Sequence, residues 1–504
     1  MTRITRRAGS TKPRACSAVM MALLAFAAGG MVSGCTTNPA TGDSMLSLLS
    51  PQEEARIGAE QHRKLTPAFG GVISSRDIQH YVASIGQFLA HTSEMPNLRF
   101  TFTVLNTDKV NAFALPGGYV YITRGLLALA NSEAEVASVL AHEIGHVVAR
   151  HAAQRYSRSV FLGIGAAALG ILTGDGEITR LIGGGLGAHL SSYSREQEFE
   201  ADMLAVRYLK RAGFKPGAIV SFLKTLTRHS RLSARLMGHP PDQANETNIM
   251  STHPRTVERV RRAAAQAGST TNLNPIIGRA IYLRKIDGLL YGDAPEQGFV
   301  RGRDFLHPEL RIRFRVPPGF HLSNRPDRVI AQEPGGSSIV FGSAPRAGNR
   351  SPYGYLVNVW GRNLRLEDRK TLTINNMPAA TGTARVRSQR GVHDLRLVAI
   401  RRGRSMYNFL FLRPPGGGNL DRIYRQTTSS FRGVSRAEAR SWRPWRLKII
   451  TVRRGDTIAR LARRMAVDRL REEHFRVLNG LGARARLVPG RKVKIVILDR
   501  RRAS

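Results

Sequence analysis

The sequence predicts an α+β protein of several domains: a mainly helical domain with a small sheet, then a strand-rich α/β domain, then a small βααβ module. A length of 504 residues suggests roughly three domains. Capped helices dominate the first half of the chain, and short strands separated by Pro-Gly turns follow. A hydrophobic content of 42% with 22% charged residues is typical of globular proteins and excludes a disordered or multi-span membrane protein.

The charge is strongly basic and unevenly distributed. The chain has 77 Lys+Arg against 36 Asp+Glu, a formal net charge of +41, which predicts an anionic partner. Residues 51–270 contribute only +6, whereas residues 271–440 contribute +17 and residues 441–504 contribute +14. The anionic partner is therefore expected at the C-terminal half.

The N-terminus has the pattern of an export signal. Residues 1–34 hold five basic residues and then an uncharged apolar run, which predicts a signal peptide. The run ends in Val32-Ser33-Gly34-Cys35, which resembles the lipobox of bacterial lipoproteins. The resemblance implies a lipid on Cys35, a tether over residues 35–50 and a periplasmic protein anchored to the outer membrane, because no Asp follows the cysteine. Export also argues against nucleic acid as the anionic partner.

A capped helix in residues 51–270 carries the first candidate site. It is predicted from Ser132, which forms a capping box with Glu135. The spacing of His142 and His146 places both imidazoles on one helix face, which suits two ligands of a single tetrahedral Zn²⁺. Glu143 lies beside them and is predicted to take a proton from a water whose pKa zinc lowers to about 7.

A second capped helix offers the third ligand. It is predicted from a capping box at Ser194 to Gly213, and Glu198 and Asp202 share one of its faces. We expect Glu198 to bind the metal and Asp202 to hydrogen-bond a ligand imidazole.

Other polar residues near these motifs are not expected in the site. His151 is predicted to point elsewhere and to be a poor metal ligand, because it lies five residues beyond His146. Glu196 and Glu200 are predicted to be ordinary surface carboxylates.

Together, His142-Glu143-x-x-His146 and Glu198-x-x-x-Asp202 resemble the gluzincin metallopeptidase family that contains the CAAX prenyl protease, the heat-shock protease HtpX and the periplasmic β-barrel assembly-enhancing protease. The resemblance covers roughly residues 45–265 and implies a zincin-type endopeptidase with one zinc ion per chain. In contrast to the CAAX prenyl protease relatives, no membrane-spanning segment is predicted after the signal.

Two further segments carry the same resemblance. Asn111, Ala112 and Phe113 begin a stretch that resembles the family's edge strand, which implies binding of substrate backbone by β-augmentation. His253 and Arg259 resemble a loop and helix that approach the metal, where the histidine can occlude it. The resemblance implies that both sets are substrate-binding or regulatory residues.

Residues 271–440 are predicted to form the strand-rich basic domain. Strands are expected at residues 311–316, 329–331, 338–341, 355–360 and 395–400. This region shows no catalytic pattern. Its arginine stripe is typical of a solvated face, although its charge favours an anionic ligand.

Residues 441–504 resemble a lysin motif (LysM). The segments that carry the resemblance are a strand with a Gly-Asp-Thr turn at Gly455, an Asn-Gly loop at Asn479, and a Pro-Gly turn at Pro489 before a last strand. The resemblance implies a βααβ fold that binds peptidoglycan, and the many arginines favour another anionic envelope polymer as an additional partner.

The sequence thus predicts a zinc endopeptidase of the cell envelope that hydrolyses misfolded or stalled envelope proteins. The alternative is a wall-tethered chaperone or adaptor whose zinc site is closed because His253 supplies a fourth ligand.

Overall fold

A computed structural model describes residues 35–161, 193–238, 240, 253, 257–268, 273–344, 347–388 and 391–499. Their architecture is α+β and multidomain, which confirms the predicted fold class. The predicted signal peptide at residues 1–34 lies outside the described residues. Among the described residues, every helix is too short or too polar to span a bilayer.

The N-terminal part consists of a hairpin, a three-stranded sheet and helices around them. Its strands are β1 (Cys35–Thr37), β2 (Ser44–Leu46), β3 (Thr101–Leu105), β4 (Ala112–Leu115) and β5 (Tyr119–Thr123). Its helices are α1 (Pro51–Ala68), α2 (Arg76–His91), α3 (Arg124–Leu129), α4 (Glu133–Val148), α5 (His151–Phe161), α6 (Arg195–Arg211), α7 (Ala218–Leu236), α8 (Val257–Ala267) and α9 (Arg279–Lys285).

The small sheet has the order β3-β5-β4, so β4 is an edge strand. β4 pairs antiparallel with β5 through a turn in which Gly117 has a φ of +76°. A Cβ there would lie 2.6 Å from the Cα of Ala55, so the turn requires glycine both for its backbone angle and for the close approach of α1.

Helix caps position the two helices of the candidate site. Ser194 and Gln197 form the predicted capping box of α6, and Gly213 follows its end with a φ of +73°. At α4, Ser132 accepts from the Glu135 backbone as predicted, but the Glu135 side chain accepts from the backbone of Asn131 instead of completing the box. Both helices begin where the sequence predicts, and they pack closely against each other because Gly145 meets Ala201.

The strand-rich part forms two antiparallel sheets. Their strands are β7 (Phe299–Arg301), β8 (Asp304–His307), β9 (Ile312–Arg315), β10 (His321–Asn324), β11 (Val329–Gln332), β12 (Ser338–Ser343), β13 (Glu367–Ile374), β14 (Met377–Ser388), β15 (Gly391–Arg402), β16 (Ser405–Arg413) and β17 (Arg432–Gly433). The smaller sheet has the order β17-β9-β8-β7, and the larger sheet has the order β10-β11-β12-β16-β15-β14-β13.

Each face of the larger sheet buries a core of its own. One face packs on the smaller sheet and on a helix, and the other packs on a short helix. The helices of this part are α10 (Pro352–Tyr355), α11 (Leu420–Ser430) and α12 (Arg436–Ser441).

The strand predicted at residues 355–360 is wrong. Ser351 caps the turn by accepting from the Gly354 backbone, Pro352 occupies the first helical turn, and a π-helical turn continues at Leu356–Trp360. Proline and a serine cap fix the start of a helix, and this local signal overrides the strand-like, mostly apolar run that follows.

The C-terminal part has the predicted βααβ order. It contains β18 (Trp445–Thr451), α13 (Ile458–Arg463), α14 (Arg471–Leu478) and β19 (Lys492–Leu498). A short strand from outside the module, β6 (Leu290–Tyr291), pairs with β18 and extends this sheet to three strands. The buried apolar residues of the C-terminal part belong to the same core as those of the N-terminal helices.

Candidate metal centre

Four metal-ligating side chains converge between α4, α6 and the segment before α8. His142 and His146 come from α4, Glu198 from α6, and His253 from that segment. All four are buried, and each offers one ligand atom within 4.8 Å of the others. His142 Nε2 lies 3.1 Å from His146 Nε2 and 3.6 Å from a Glu198 oxygen. The predicted third-ligand residue is thus placed opposite the histidine pair.

Glu143 lies beside this donor set and is fully buried. Its carboxylate is 3.5 Å from His253 Nε2, and neither of its oxygens accepts a hydrogen bond from a described residue. Burial raises the pKa of Glu143, although His253 and His142 act in the opposite direction. A buried carboxylate without a donor is costly unless a ligand completes the site.

Asp202 and Arg259 surround the donors. Asp202 Oδ1 lies 3.0 Å from His142 Nδ1, the ring nitrogen opposite the metal-facing one. Arg259 donates to both Asp202 oxygens at 2.7 and 2.8 Å and also pairs with Glu198. Burial alone would raise the pKa of Glu198, but the cations His253 and Arg259 hold it well below its ordinary value. Glu198 is therefore held as a carboxylate, the form that binds a metal.

These residues fit a zinc ion. Two imidazoles and a carboxylate are a donor set that zinc prefers, and burial lowers the pKa of His146, which favours the neutral, ligating form. His253 Nδ1 is 3.3 Å from His142 Nε2 and 2.8 Å from Glu198, so it stands where a fourth donor would be.

The other predicted site residues occupy separate places. Ala112 and Phe113 lie on β4, which packs against α4, and Asn111 immediately precedes this strand. The side-chain oxygen of Asn111 is buried without a described partner. Cys35 is the first residue of β1, and its lipidation stays a prediction.

His151 is not among the four possible donors, as expected of a poor ligand, but it does not point away from the site, and Glu200 is not an ordinary surface carboxylate. α4 ends at Val148, and Arg150 adopts a left-handed φ of 54°, so the chain turns and His151 starts a new helix. His151 Nδ1 then lies 2.8 Å from His146 Nδ1, and its other ring nitrogen lies 3.1 Å from Glu200. Glu196 is exposed as predicted.

Tyr193 is a site residue that sequence reasoning missed. Its ring stacks on His146 with a centroid separation of 3.8 Å. The residue stands immediately before the cap of α6, where no sequence pattern marks it.

An apolar cavity opens beside His142 and Glu143. Its apolar wall consists of residues from α7 together with one from α4: Ile219, Phe222, Leu223, Leu226 and Val139. The site therefore combines a polar metal centre with an apolar recess on one side.

Comparisons with protein families agree with this geometry. The model of peptidase family M48 matches residues 77–267, which include all the donors described above. The chain contains a peptidase family M48 domain. The LysM domain model matches residues 450–496. The M48 match confirms the predicted peptidase domain, and the LysM match confirms the predicted C-terminal module.

Three relatives illustrate the extent of the similarity. The beta-barrel assembly-enhancing protease of Escherichia coli (strain K12) is 30% identical over 258 residues, covering 49% of this chain and 51% of that protein. The Yersinia pestis protein of the same name is 32% identical over 235 residues, covering 43% and 48%. The mitochondrial metalloendopeptidase OMA1 of Schizosaccharomyces pombe is 30% identical over 216 residues, covering 42% and 59%. The chain spans about half the length of the beta-barrel assembly-enhancing proteases it matches.

Proposed function

We propose that the chain is a zinc-dependent endopeptidase of the cell envelope that hydrolyses misfolded or stalled envelope proteins. The observation that carries the proposal is the buried set of His142, His146 and Glu198 with the unpartnered carboxylate of Glu143 beside it. The M48 domain and the names of its relatives support the same activity.

In this proposal His142, His146 and Glu198 hold one zinc ion, which supplies Lewis acidity and acidifies water. Glu143 acts as general base toward the attacking water and then donates that proton to the leaving amine. The Asp202 carboxylate lies 3.0 Å from His142 Nδ1 and orients this ring by its charge, while Arg259 holds Asp202 in place.

The surroundings of the metal centre suggest how substrate binds. The recess formed by Phe222, Leu223 and Leu226 fits an apolar side chain, and such side chains become exposed in misfolded proteins. The edge strand β4 offers backbone groups to an extended peptide, and Asn111 to Phe113 lie at its start.

The C-terminal module and the N-terminus suggest where the enzyme acts. The LysM domain supports binding of peptidoglycan, and exposed arginines at Arg453, Arg454, Arg484 and Arg486 favour an anionic envelope polymer. The lipobox-like segment favours a periplasmic protein that is anchored to the outer membrane by a lipid on Cys35.

A closed, latent site is the second candidate. His253 lies within the donor set, so it can occupy the fourth position and exclude water from the metal. On this hypothesis His253→Ala raises the rate of cleavage of an unfolded protein, whereas the wild-type protein behaves as a chaperone or adaptor. An unchanged or lower rate in His253→Ala argues for an open site.

The proposed activity is tested with Glu143→Gln. We expect this variant to retain one zinc ion per chain and to cleave unfolded casein at least ~100-fold more slowly, since general acid–base catalysis contributes about that much or more. Glu196→Gln, an exposed change on α6, is the matched control and should cleave normally. Both are compared in the wild-type and His253→Ala backgrounds, so that latency does not hide the effect. Persistent cleavage by Glu143→Gln would exclude the assigned base.

A further inference from the structure

The two histidines of α4 are supported in different ways on the side that faces away from the donor cluster. His142 Nδ1 meets a carboxylate directly, at 3.0 Å from Asp202. His146 Nδ1 meets no carboxylate among the described residues but lies 2.8 Å from His151 Nδ1. The carboxylate in this second arrangement is one residue further out, because His151 Nε2 lies 3.1 Å from Glu200 Oε2.

The protons of this chain can be assigned if His146 Nε2 is the metal-facing nitrogen. A metal takes the lone pair of that nitrogen, so His146 Nδ1 carries the proton and donates it to His151 Nδ1. His151 Nδ1 must then be an acceptor, which puts its own proton on Nε2. That proton points to Glu200, which as a carboxylate can only accept. The carboxylate of Glu200 therefore stabilises the tautomers of both rings that metal binding at His146 Nε2 requires.

Burial makes this arrangement specific. His151 is fully buried and His146 is 1% exposed, so water does not compete for the hydrogen bond between them. Tyr193 covers the face of the His146 ring and restricts its rotation. A ring that is held by stacking and by one hydrogen bond at Nδ1 has a single orientation toward the metal.

The chain of hydrogen bonds continues into the N-terminal hairpin. Asn38, which is 5% exposed, donates its side-chain amide to Glu200 Oε1 at 2.7 Å. The Asn38 side-chain oxygen accepts from the Ala40 backbone, and its backbone bonds across the hairpin to Asp43. Asn38 is thus rigidly placed three residues after Cys35.

The hairpin is also fixed against the helices that carry the relay. Arg150, the residue at the break between α4 and α5, donates to the Leu49 carbonyl at 2.7 Å and pairs with Glu54. The Leu48 backbone donates to Ser157 of α5 at 2.7 Å. Residues 38–49 therefore pack on the same helix break that brings His151 to His146.

We propose that His151, Glu200 and Asn38 are positioning residues of the metal centre, forming a hydrogen-bonded relay that orients His146 and fastens the hairpin after Cys35 to this ligand. The inference rests on the proposed function, because it takes His146 as a zinc ligand. It gives the N-terminal hairpin a role in shaping the metal site.

The experiment measures zinc affinity by competition with a chelator and the visible absorption spectrum of the cobalt-substituted protein. His151→Leu removes both hydrogen bonds of the relay, and we expect zinc affinity to fall 10- to 100-fold with a shifted cobalt spectrum. His151→Gln keeps an acceptor and a donor, and it should recover most of the affinity. Asn38→Leu should give a smaller loss, of roughly 2- to 10-fold, since its contact with the ring is indirect.

Controls separate this inference from the proposed function. His146→Ala should abolish tight zinc binding, and Glu196→Gln should leave the affinity unchanged. If His146→Ala binds zinc as tightly as the wild type, the proposed metal site is wrong. If His146→Ala loses zinc but His151→Leu stays within twofold of the wild type with an unchanged cobalt spectrum, the relay alone is wrong.

The same samples distinguish a loss of protein stability from a loss of orientation of His146. A merely structural role of His151 would lower the melting temperature of the zinc-free protein without moving the cobalt spectrum, which would overturn the proposal. Should His151→Leu fail to fold, Glu200→Leu decides by the same criteria, because the Glu200 side chain is 22% exposed and tolerates replacement more easily.

Discussion

The strand-rich region and the LysM region are both basic and both follow the M48 domain, but they relate to it differently. The strand-rich region buries two cores made only of its own residues. The LysM region buries its apolar side chains in one core with the M48 helices. A module that resembles an independent binding domain is thus part of the peptidase unit, whereas the less characteristic region is self-contained.

Lys494 shows how closely the LysM region is joined to the M48 domain. Its ammonium nitrogen is buried and donates to the carbonyls of Ala128, Leu129 and Ala130 at 2.8, 3.1 and 2.6 Å. These carbonyls end α3, where a helix leaves its last acceptors without partners. Burial holds the pKa of Lys494 well below its ordinary value. The contact lies directly before α4, the helix that carries His142 and His146.

The strand-rich region is placed between two paired strands. Tyr291 of β6 lies opposite Trp445 of β18, so the chain leaves and returns at neighbouring positions of one small sheet. Residues 294–443 can therefore be regarded as an insertion into a unit made of the M48 and LysM regions.

The largest expected effect is that of removing residues 441–504. The truncation exposes the apolar surface of α7, α3 and the segment around Leu289 that the LysM region covers. We expect a loss of about 5 kcal/mol or more, which corresponds to a fall of roughly 10 °C or more in melting temperature. Differential scanning calorimetry of the zinc-loaded protein measures it.

Excision of residues 294–443 with a short Gly-Ser linker is the matched control. Since the ends are adjacent, the remaining protein should melt close to the wild-type M48 transition and bind one zinc ion. If the excised protein unfolds and the truncated protein does not, the strand-rich region, and not the LysM region, is the part on which the M48 domain depends.

Two buried phenylalanines, one in each core, test the difference between the strand-rich region and the LysM region with single substitutions. Phe409 lies in the strand-rich core and Phe475 in the shared core, and both are fully buried. Each change to Ala should cost about 3–5 kcal/mol. Phe475→Ala should lower the melting of the peptidase unit and its zinc retention, while Phe409→Ala should lower only a separate transition. Equal loss of zinc retention in both variants would show that the two regions are coupled.

The smallest expected effect concerns acid stability at the M48–LysM contact. Burial lowers the pKa of His474 from 6.5 to about 4, and the ring contacts Tyr291 and lies near His229. In the unfolded chain His474 is protonated below about pH 6.5, whereas in the folded chain it is protonated only below about pH 4. The stability contributed by neutral His474 is therefore complete above pH 6.5 and falls by up to about 3 kcal/mol as the pH drops toward 4.

His474→Gln should remove this acid dependence and keep a hydrogen bond to Tyr291. The measurement is the free energy of unfolding between pH 4 and 7 for the variant and the wild type. The quantity to compare is the difference in free energy of unfolding between variant and wild type at each pH. Burial raises the pKa of Asp293 to about 6, so this residue changes the stability of both proteins in the opposite sense and cancels in the difference. Parallel pH profiles would contradict a buried neutral His474.

Much of the metal centre could be predicted from local patterns. The spacing of His142 and His146 and the caps of both helices are encoded within a few residues, so the predicted placement of Glu198 and Asp202 agrees with the structure. His151 could not be placed, because a residue five positions along a continuous helix is rotated by about 140°, and only the left-handed Arg150 brings it back.

The packing of the LysM region on the M48 domain could not be predicted from the sequence either. The docking of the LysM region depends on Lys494 reaching carbonyls more than 360 residues away, a contact that no local pattern announces. A lysine in a final strand is usually solvated, so burial of this one could be found only from the assembled core.

The direct test of a zinc-dependent peptidase is to measure the rate of cleavage of unfolded casein as a function of zinc content. The protein is stripped with a chelator and reloaded stepwise, in wild-type and His253→Ala forms. If the chain is a zinc-dependent peptidase, the zinc-free protein does not cleave casein, and the rate rises in proportion to zinc until one ion per chain is bound. Cleavage that persists in the zinc-free protein, or a plateau at a different stoichiometry, would contradict it.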